Sequence, residues 1–521
     1  MILQRIGNRG IKLGSLFERA ARRHPSNTLT LDHRPSLAPQ LEGTSTIVDV
    51  AAAVDDIARR LRAAGVAPGD KLVIHKSDGF DITLAACAAA RVGAVPVLLS
   101  PKLDGATVAT LIGRVGNPAL LTDAAKLEGD LAGEPIAEIT SRILLAEGEH
   151  PEAVTLSALT PAAPAPAFIP SPHDPALITH TSGTTGVPKL AVHTNFTFEA
   201  RYRPQAAVAA LVRRREPVVI HVSFVHSRLV TALAIAMLRG FPVVVLVDDE
   251  PEHAAEIFLR VKPGILEAHP NTFINWEVLA EDPRRPLASV KYFSSTFDAI
   301  HPRTVRTLLA ATQRRRPLFG QLYGQSEVGP IVARGFSRLR SADSDGRCVG
   351  YAFPGMTDVR IVSRNGQPPS SENPGYIEVR TDGRIRTYLG EQDRYDNQLD
   401  DGWWRMGDVG YRTRWGCIHL LDREVDLIEG FGSTLAAEDR LFLAVDELTE
   451  VIIVAGPNGL AQPVVCTKND VPLNLNAWDT AAAQLPPMAP PLQLRLDELP
   501  QTATTKIKRL ELSARIGSGA F

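Results

Sequence analysis

The sequence predicts an α/β fold: a large N-terminal domain of helix-covered, mainly parallel sheets with a small β-barrel, followed by a small α+β C-terminal domain. Three observations lead there. From residue 45 onward, helical and strand periodicities alternate, the pattern of parallel strands joined by helices that cover the sheet. Between about residues 346 and 419 the strands become short and turn-separated, as in a small barrel. Roughly the last hundred residues carry their own Pro-rich stretch at 485–491 and have the size of a separate unit.

The elements follow in order. Over 45–64, Val50, Ala53, Val54, Ile57, Leu61 and Ala64 recur at helical spacing with charges between them, and Gly65 is the stop signal. The turn Pro68-Gly69-Asp70 leads into the β-branched run Lys71-Leu72-Val73-Ile74-His75; an Ala-rich helix over 80–92 and a strand over 94–99 come next. A Pro- and Ala-rich connector, 161–175, enters the strand Ala176-Leu177-Ile178-Thr179. The apolar runs 217–222 and 242–247 read as buried strands flanking a helix around 231–238. No internal repeat is present.

The 521 residues exceed what one hydrophobic core covers, and 44% hydrophobic with 22% charged content is that of a globular protein. A net charge of −2 leaves no electrostatic footprint for nucleic acid or an anionic membrane surface. The arginine runs 213–215 and 314–316 follow apolar helical stretches, where cations suit the negative end of the helix dipole. Cys87, Cys348, Cys417 and Cys466 are far apart in sequence with no C-x-x-C spacing, which argues against a zinc site or a disulfide framework. Residues 1–14 lack an apolar core of a signal peptide, and no run of about 18 apolar residues occurs, so no membrane span and a reducing, cytoplasmic location are expected.

The most informative string is His180-Thr181-Ser182-Gly183-Thr184-Thr185-Gly186-Val187-Pro188-Lys189. Its glycines let backbone N–H groups turn toward an anion, its hydroxyls add donors and its lysine adds charge, a composition suited to polyphosphate. Val187-Pro188 separate Gly186 from Lys189, so it is not the mononucleotide P-loop. Further on, Leu322-Tyr323-Gly324-Gln325-Ser326-Glu327 supplies an aromatic face, a tight turn, a hydroxyl and a carboxylate able to hold Mg²⁺. Gly402-Trp403-Trp404-Arg405-Met406-Gly407-Asp408 places an acid after a glycine turn, and a cluster at 421–426 and a lysine-bearing loop at 499–509 complete the set. Taken singly, each string also fits an ordinary polar turn or a solvated charge cluster.

Together, and in this order, the strings resemble the adenylate-forming superfamily of acyl-CoA synthetases, peptide-synthetase adenylation domains and luciferases. The resemblance runs from Leu13-Gly14-Ser15-Leu16-Phe17 to the C-terminal lysine loop. It implies an adenylation domain over 1–423 and a mobile catalytic-lysine domain over 424–521. Thr181, Ser182, Gly183, Thr184, Thr185, Gly186 and Lys189 would enclose the β- and γ-phosphates of ATP, with Gln321 and Tyr323 at adenine and Ser326 at the α-phosphate. Glu327 would hold Mg²⁺, Asp408 and Arg423 would meet the ribose, and Lys506 would be the catalytic lysine acting with Lys189 and Glu327. His226 would border the acyl pocket or sit as a satisfied core histidine, and Phe297 would lie against the substrate.

The implied reaction joins a carboxylic acid to AMP with release of pyrophosphate, then transfers the acyl group to coenzyme A. A stand-alone acyl-AMP ligase serving a carrier protein or a partner acyltransferase is the alternative, and a catalytically inactive nucleotide-binding regulator is the reading from another class. The chain departs from the pattern at Thr505, Val425, Met406 and Thr296-Phe297-Asp298. Val225 replaces the aspartate with which amino-acid-activating relatives hold the substrate ammonium, so an acid lacking an α-amino group is expected, since an unpaired buried ammonium is costly. The Ala-, Arg- and Pro-rich composition suggests a GC-rich bacterial genome and a natural-product or lipid pathway.

Overall fold

A computed structural model describes residues 11–181, 187–296, 300–339, 346–457, 459–501 and 507–519. The helix expected over 45–64 is Ile47–Ala63, opened by a capping box in which Thr46 and Asp49 satisfy each other's backbone N–H groups. It ends as Gly65 turns to φ +82°, a conformation that a Cβ would penalise.

Two sheets share one layer of helices. In one, the strands Lys71–Ile74, Val95–Leu98, Ala119–Asp123 and Arg142–Glu147 run parallel, and Pro175–His180 joins them parallel to Val95–Leu98. In the other, Thr28–Leu31, Val243–Val245, Val218–His221, Ile265–Ala268, Tyr292–Ser295 and the start of Leu318–Gln325 are neighbours in parallel. The two-residue period of a strand explains the layering. Leu72 and Ile74 share a core with Val218, Ile220, Val243 and Val245 from the other sheet and with the helices Ile47–Ala63, Asp81–Val92 and Ser227–Leu238 between them. Val73 and Val97 face the opposite way onto Gly105–Val115, while Val219, Val244 and Leu266 face Pro251–Val261 and Pro302–Ala311. Strands buried on both faces read as continuous apolar runs, which is how they stand in the sequence.

Past Leu318–Gln325 the second sheet becomes antiparallel through Gly329–Ser337, Cys348–Ala352, Ile418–Arg423, Trp403–Arg412, Gly375–Thr381 and Thr357–Val362. This curled end is the small-barrel part of the fold. The C-terminal region has its own three-stranded sheet, Leu448–Ala455, Ala461–Thr467 and Leu492–Gln493, packed by the helices Thr434–Ala444, Leu475–Ala482 and Arg509–Gly517. Its cores draw on residues from Ile428 onward. No helix among the described residues is long and apolar enough to cross a membrane.

Asp422 fastens this region to the strand before it. One carboxylate oxygen accepts from the Thr434 hydroxyl at 2.5 Å and the other from the Thr434 N–H at 3.0 Å. The side chain is almost fully buried, and that burial pushes the carboxyl up to about 7, with the Thr434 hydroxyl opposing and Glu438 adding to the rise. A raised acid binds its proton more tightly in the folded chain, so its contribution to stability is complete below the ordinary value of 3.8 and is lost as pH rises through about 7. Asp422→Asn removes this titration. The urea midpoint of the variant relative to wild type is expected to rise between about pH 5 and about pH 8; an equal difference at both pH values would refute the assignment.

One sequence expectation is overturned. Cys348 and Cys417 form a disulfide, 69 residues apart in sequence, with Cα atoms 6.4 Å apart. Sequence spacing is blind to this pairing because it is created by two strands, Cys348–Ala352 and Ile418–Arg423, that become neighbours only in the folded sheet. Cys87 and Cys466 are buried free thiols.

Candidate active site

Ligands of open α/β sheets gather beyond the carboxyl ends of parallel strands. Here those ends deliver His226 after Val218–His221, His269 after Ile265–Ala268, Thr296 after Tyr292–Ser295 and Thr181 after Pro175–His180. Two cavities open there, of about 350 and about 230 Å³. They share Leu322, Gly324, Gln325, Arg423 and Val425 as walls.

The larger cavity starts at the neck of the glycine-rich string. Thr181 N–H donates to the Lys189 carbonyl at 2.9 Å, and Lys189 N–H donates to the Thr181 hydroxyl at 3.2 Å, so the string leaves and rejoins an antiparallel pair of strands. His180, held neutral by burial, accepts from Ser100 N–H through Nε2 and donates from Nδ1 to the Thr181 carbonyl, fixing that neck. Ser182, Gly183, Thr184, Thr185 and Gly186 lie outside the described residues, as do Phe297 and Lys506.

Lys189 reaches Glu327. Its ammonium donates to Glu327 Oε1 at 3.3 Å and to the Tyr388 hydroxyl at 2.8 Å, and it lies 4.4 Å from the centre of the Tyr388 ring. Tyr388 in turn donates to Glu327 Oε1 at 2.6 Å. Burial first, and then the Glu327 charge, push the Tyr388 phenol far above its ordinary value, so it stays a donor. The tight turn that presents Glu327 requires glycine at 324, where a Cβ would sit 1.9 Å from the Gly329 carbonyl oxygen.

Ser326 and His226 meet across the same cavity at 3.2 Å. His226 Nδ1 accepts from Arg228 N–H at the start of Ser227–Leu238, which places the neutral ring's proton on Nε2, donating to the Ser326 hydroxyl. His226 is half-buried: it caps a helix and lines the cavity. Beneath it lies Arg201, whose guanidinium donates to the carbonyls of Gly383 at 2.7 Å and Ser326 at 2.9 Å and to the Ser227 hydroxyl at 3.2 Å. Burial pulls Arg201 down to about 9, with Glu327 opposing. On the inner wall, buried Arg228 pairs with Glu267 through two nitrogens, one contact at 2.8 Å, and donates to Gln205.

The smaller cavity gathers Gln321, Tyr323, Asp408 and Arg423. Tyr323 donates to Asp408 Oδ2 at 2.5 Å, and Arg423 Nε stands 3.4 Å from Asp408 Oδ1. Burial, and then the Asp408 charge, hold the Tyr323 phenol well above its ordinary value. Gln321 is buried, and its Oε1 accepts no hydrogen bond among the described residues. Of the departures noted in the sequence, Val425 is 55% exposed on the wall between the cavities, Met406 is buried with its carbonyl accepting from Gln325, and Val225 is buried in the core.

The described site residues thus converge: Thr181, Lys189, Ser326, Glu327 and His226 on one cavity, Gln321, Tyr323 and Asp408 on the next, and Arg423 on both. No sequence motif marks Tyr388, Arg201 or the Arg228–Glu267 pair. Tyr388 stands in a two-residue strand, Thr387–Tyr388, with no motif around it, and only its pairing with Ala191–Val192 carries it to Lys189.

A 3-amino-2-hydroxy-4-methoxybenzoate diazotase of Streptomyces cremeus is 44% identical over 540 aligned residues, covering 99% of this chain and 97% of its own. A 3-aminoavenalumate diazotase of a Streptomyces species is 25% identical, over 80% of this chain and 75% of its own. In fold, the chain is similar to the ATP-bound MatB of Rhodopseudomonas palustris, with a TM-score of 0.77 at 18% identity, covering 98% of this chain and 100% of that one. The profile described as AMP-binding enzyme matches residues 17–389, well over half the sequence. The chain belongs to the AMP-binding enzyme family and, with it, to the adenylate-forming superfamily.

Proposed function

We propose that this enzyme uses ATP to diazotise an aromatic amine that carries a carboxylate. The observation that carries the reading is the 44% identity to an aminobenzoate diazotase across essentially both whole chains. The site is consistent with it. Lys189, Arg201, Arg228, Arg394, Arg405 and Arg423 line the larger cavity with Glu327, an environment for anionic, polar reactants rather than a long apolar chain. An aromatic amine is neutral near pH 7 because its lone pair is delocalised into the ring. It therefore needs no carboxylate partner in the pocket, in keeping with Val225.

Adenylation fits the same parts. Nitrite presents two oxygens on a central atom, as a carboxylate does. In this reading a nitrite oxygen attacks the α-phosphorus of ATP, the bond to the β-phosphate oxygen breaks and pyrophosphate leaves, giving a nitrosyl–AMP mixed anhydride. The amine nitrogen then bonds to the nitrosyl nitrogen, AMP departs and the amine loses a proton. The resulting nitrosamine tautomerises to a diazohydroxide, which takes up a proton and loses water to leave the diazonium ion. Lys189 and Lys506 would stabilise the charge on the phosphoryl oxygens, and the unpartnered Gln321 Oε1 suits the exocyclic amine of adenine. Asp408 and Arg423 would take the ribose. Glu327 would hold Mg²⁺, whose role would be to neutralise phosphate charge. A two-domain division at 423/424, hinged near Arg423 to Val425, would let the C-terminal lysine reach the site. A cytoplasmic location, where ATP is supplied, belongs to this reading.

The second reading is the acid–thiol ligase that the motif order suggests, in which the carboxyl is adenylated and passed to coenzyme A or a carrier protein. Exposed Val425, at the position where the resemblance implies a charged hinge residue, weighs against the rotation that the thiol step uses. One experiment separates the readings: pyrophosphate and AMP release with ATP, Mg²⁺ and a panel of amino-hydroxybenzoates, each with and without nitrite or coenzyme A. Nitrite-dependent pyrophosphate release, with a diazonium ion trapped by azo coupling to a naphthol, is expected. AMP release that needs coenzyme A and ignores nitrite would replace this reading with the ligase. Pyrophosphate release with the acid alone points to acyl-AMP delivery to a partner, and ATP binding without turnover to an inactive regulator.

A further inference from the structure

We propose that Cys348, Cys417 and His419 form a redox-gated binding site for zinc or a similar thiophilic divalent ion, closed as a disulfide and open as two thiols. The two sulfurs and a ring nitrogen of His419 all lie within 4.8 Å of one another. Strand register puts them there: Cys348 is directly opposite His419, and Cys417 precedes His419 by two residues, on the same face of the chain. The alternate residues, Arg347, Val349, Leu420 and Asp422, line the smaller cavity, so the trio occupies the outer face of the strands whose inner face is a wall of the active site. The Tyr411 hydroxyl lies 2.9 Å from His419 Nδ1 and orients the imidazole, the part that outer partners play for metal-bound histidines.

Two thiolates and an imidazole are a donor set that zinc prefers, and with water they complete a tetrahedron. Opening the site needs an external two-electron reductant, such as a dithiol that gives two electrons and two protons to the Cys348–Cys417 bond and is itself oxidised to a disulfide. The ion then displaces the two thiol protons as it binds. Disulfide and metal are mutually exclusive states of the same sulfurs, so the redox state decides which of them joins the two strands.

The test uses the full-length protein. After reduction with a phosphine and removal of the reductant, Co²⁺ titration is expected to raise thiolate-to-cobalt absorption that saturates at one ion per chain, and Zn²⁺ is expected to displace it. The air-oxidised wild type, the same chain with the same fold, is expected to show none of this absorption. His419→Ala is expected to weaken Co²⁺ binding at least tenfold, and Tyr411→Phe about tenfold. The proposal is overturned if reduced wild type takes up no more metal than oxidised wild type or the Cys348→Ser/Cys417→Ser variant, or if His419→Ala binds as tightly as wild type.

Discussion

Glu327→Gln is expected to slow pyrophosphate release roughly 10²- to 10³-fold, the scale of losing one preorganised electrostatic contact to a transition state. Among the described residues that line the larger cavity, Glu327 is the carboxylate facing Lys189 and several arginines, and it is 7% exposed. Glutamine keeps the shape and can still accept from Tyr388, but it loses the charge that partners Lys189 and would hold Mg²⁺. The loss should fall on kcat, with KM for ATP changing less, because the residues proposed to hold the phosphates and adenine are unchanged. Tyr388→Phe removes one hydrogen bond from the same carboxylate and should cost about tenfold or less. A Glu327→Gln enzyme within threefold of wild type in pyrophosphate release would remove Glu327 from the chemistry.

The difference between those two residues is also the difference between what the sequence reveals and what it hides. Glu327 stands in a string of chemically loaded residues whose turn demands glycine, and the place of that string in the order of the others marks it. Tyr388 acquires its position from a two-residue edge strand. Arg201 is hidden more deeply still. It sits in Asn195–Ala209 as one of several charged residues, and its role depends on Gly329 and Gly383, where a Cβ would come within about 3 Å of its side chain. Glycines cleared to admit a buried guanidinium look like ordinary loop glycines in a sequence.

The same limit applies to element boundaries. Strands read as 71–75, 94–99 and 217–222 are Lys71–Ile74, Val95–Leu98 and Val218–His221, because apolar runs buried on both faces leave a strong local signal. The helix read around 231–238 begins earlier, at Ser227. Its first turn contains Arg228, which by itself interrupts the apolar pattern. The interruption is only apparent, since Glu267 neutralises that arginine from the neighbouring strand Ile265–Ala268 and lets it face inward. Pairings between distant segments escape periodicity altogether, as the Cys348–Cys417 bond also shows.

The Arg228–Glu267 pair leads to the largest expected effect on stability. The two side chains are 8% and 7% exposed, and each offsets the other's charge away from water. Glu267→Gln leaves an uncompensated guanidinium in the core and should destabilise the protein by about 3–5 kcal/mol, read as a lower urea midpoint. Arg228→Met with Glu267→Leu removes both charges at similar volume, a change that in other proteins is neutral or stabilising by about 1–4 kcal/mol. The double variant should therefore recover the stability that the single one loses. Its activity should not recover, because Arg228 and Gln205 form the inner wall of the cavity assigned to the anionic substrate and Arg228 helps to hold Gln205 in place. A double variant that is stable and fully active would assign the pair to the fold alone; one as unstable as Glu267→Gln would show that the ion pair is worth more than its desolvation cost.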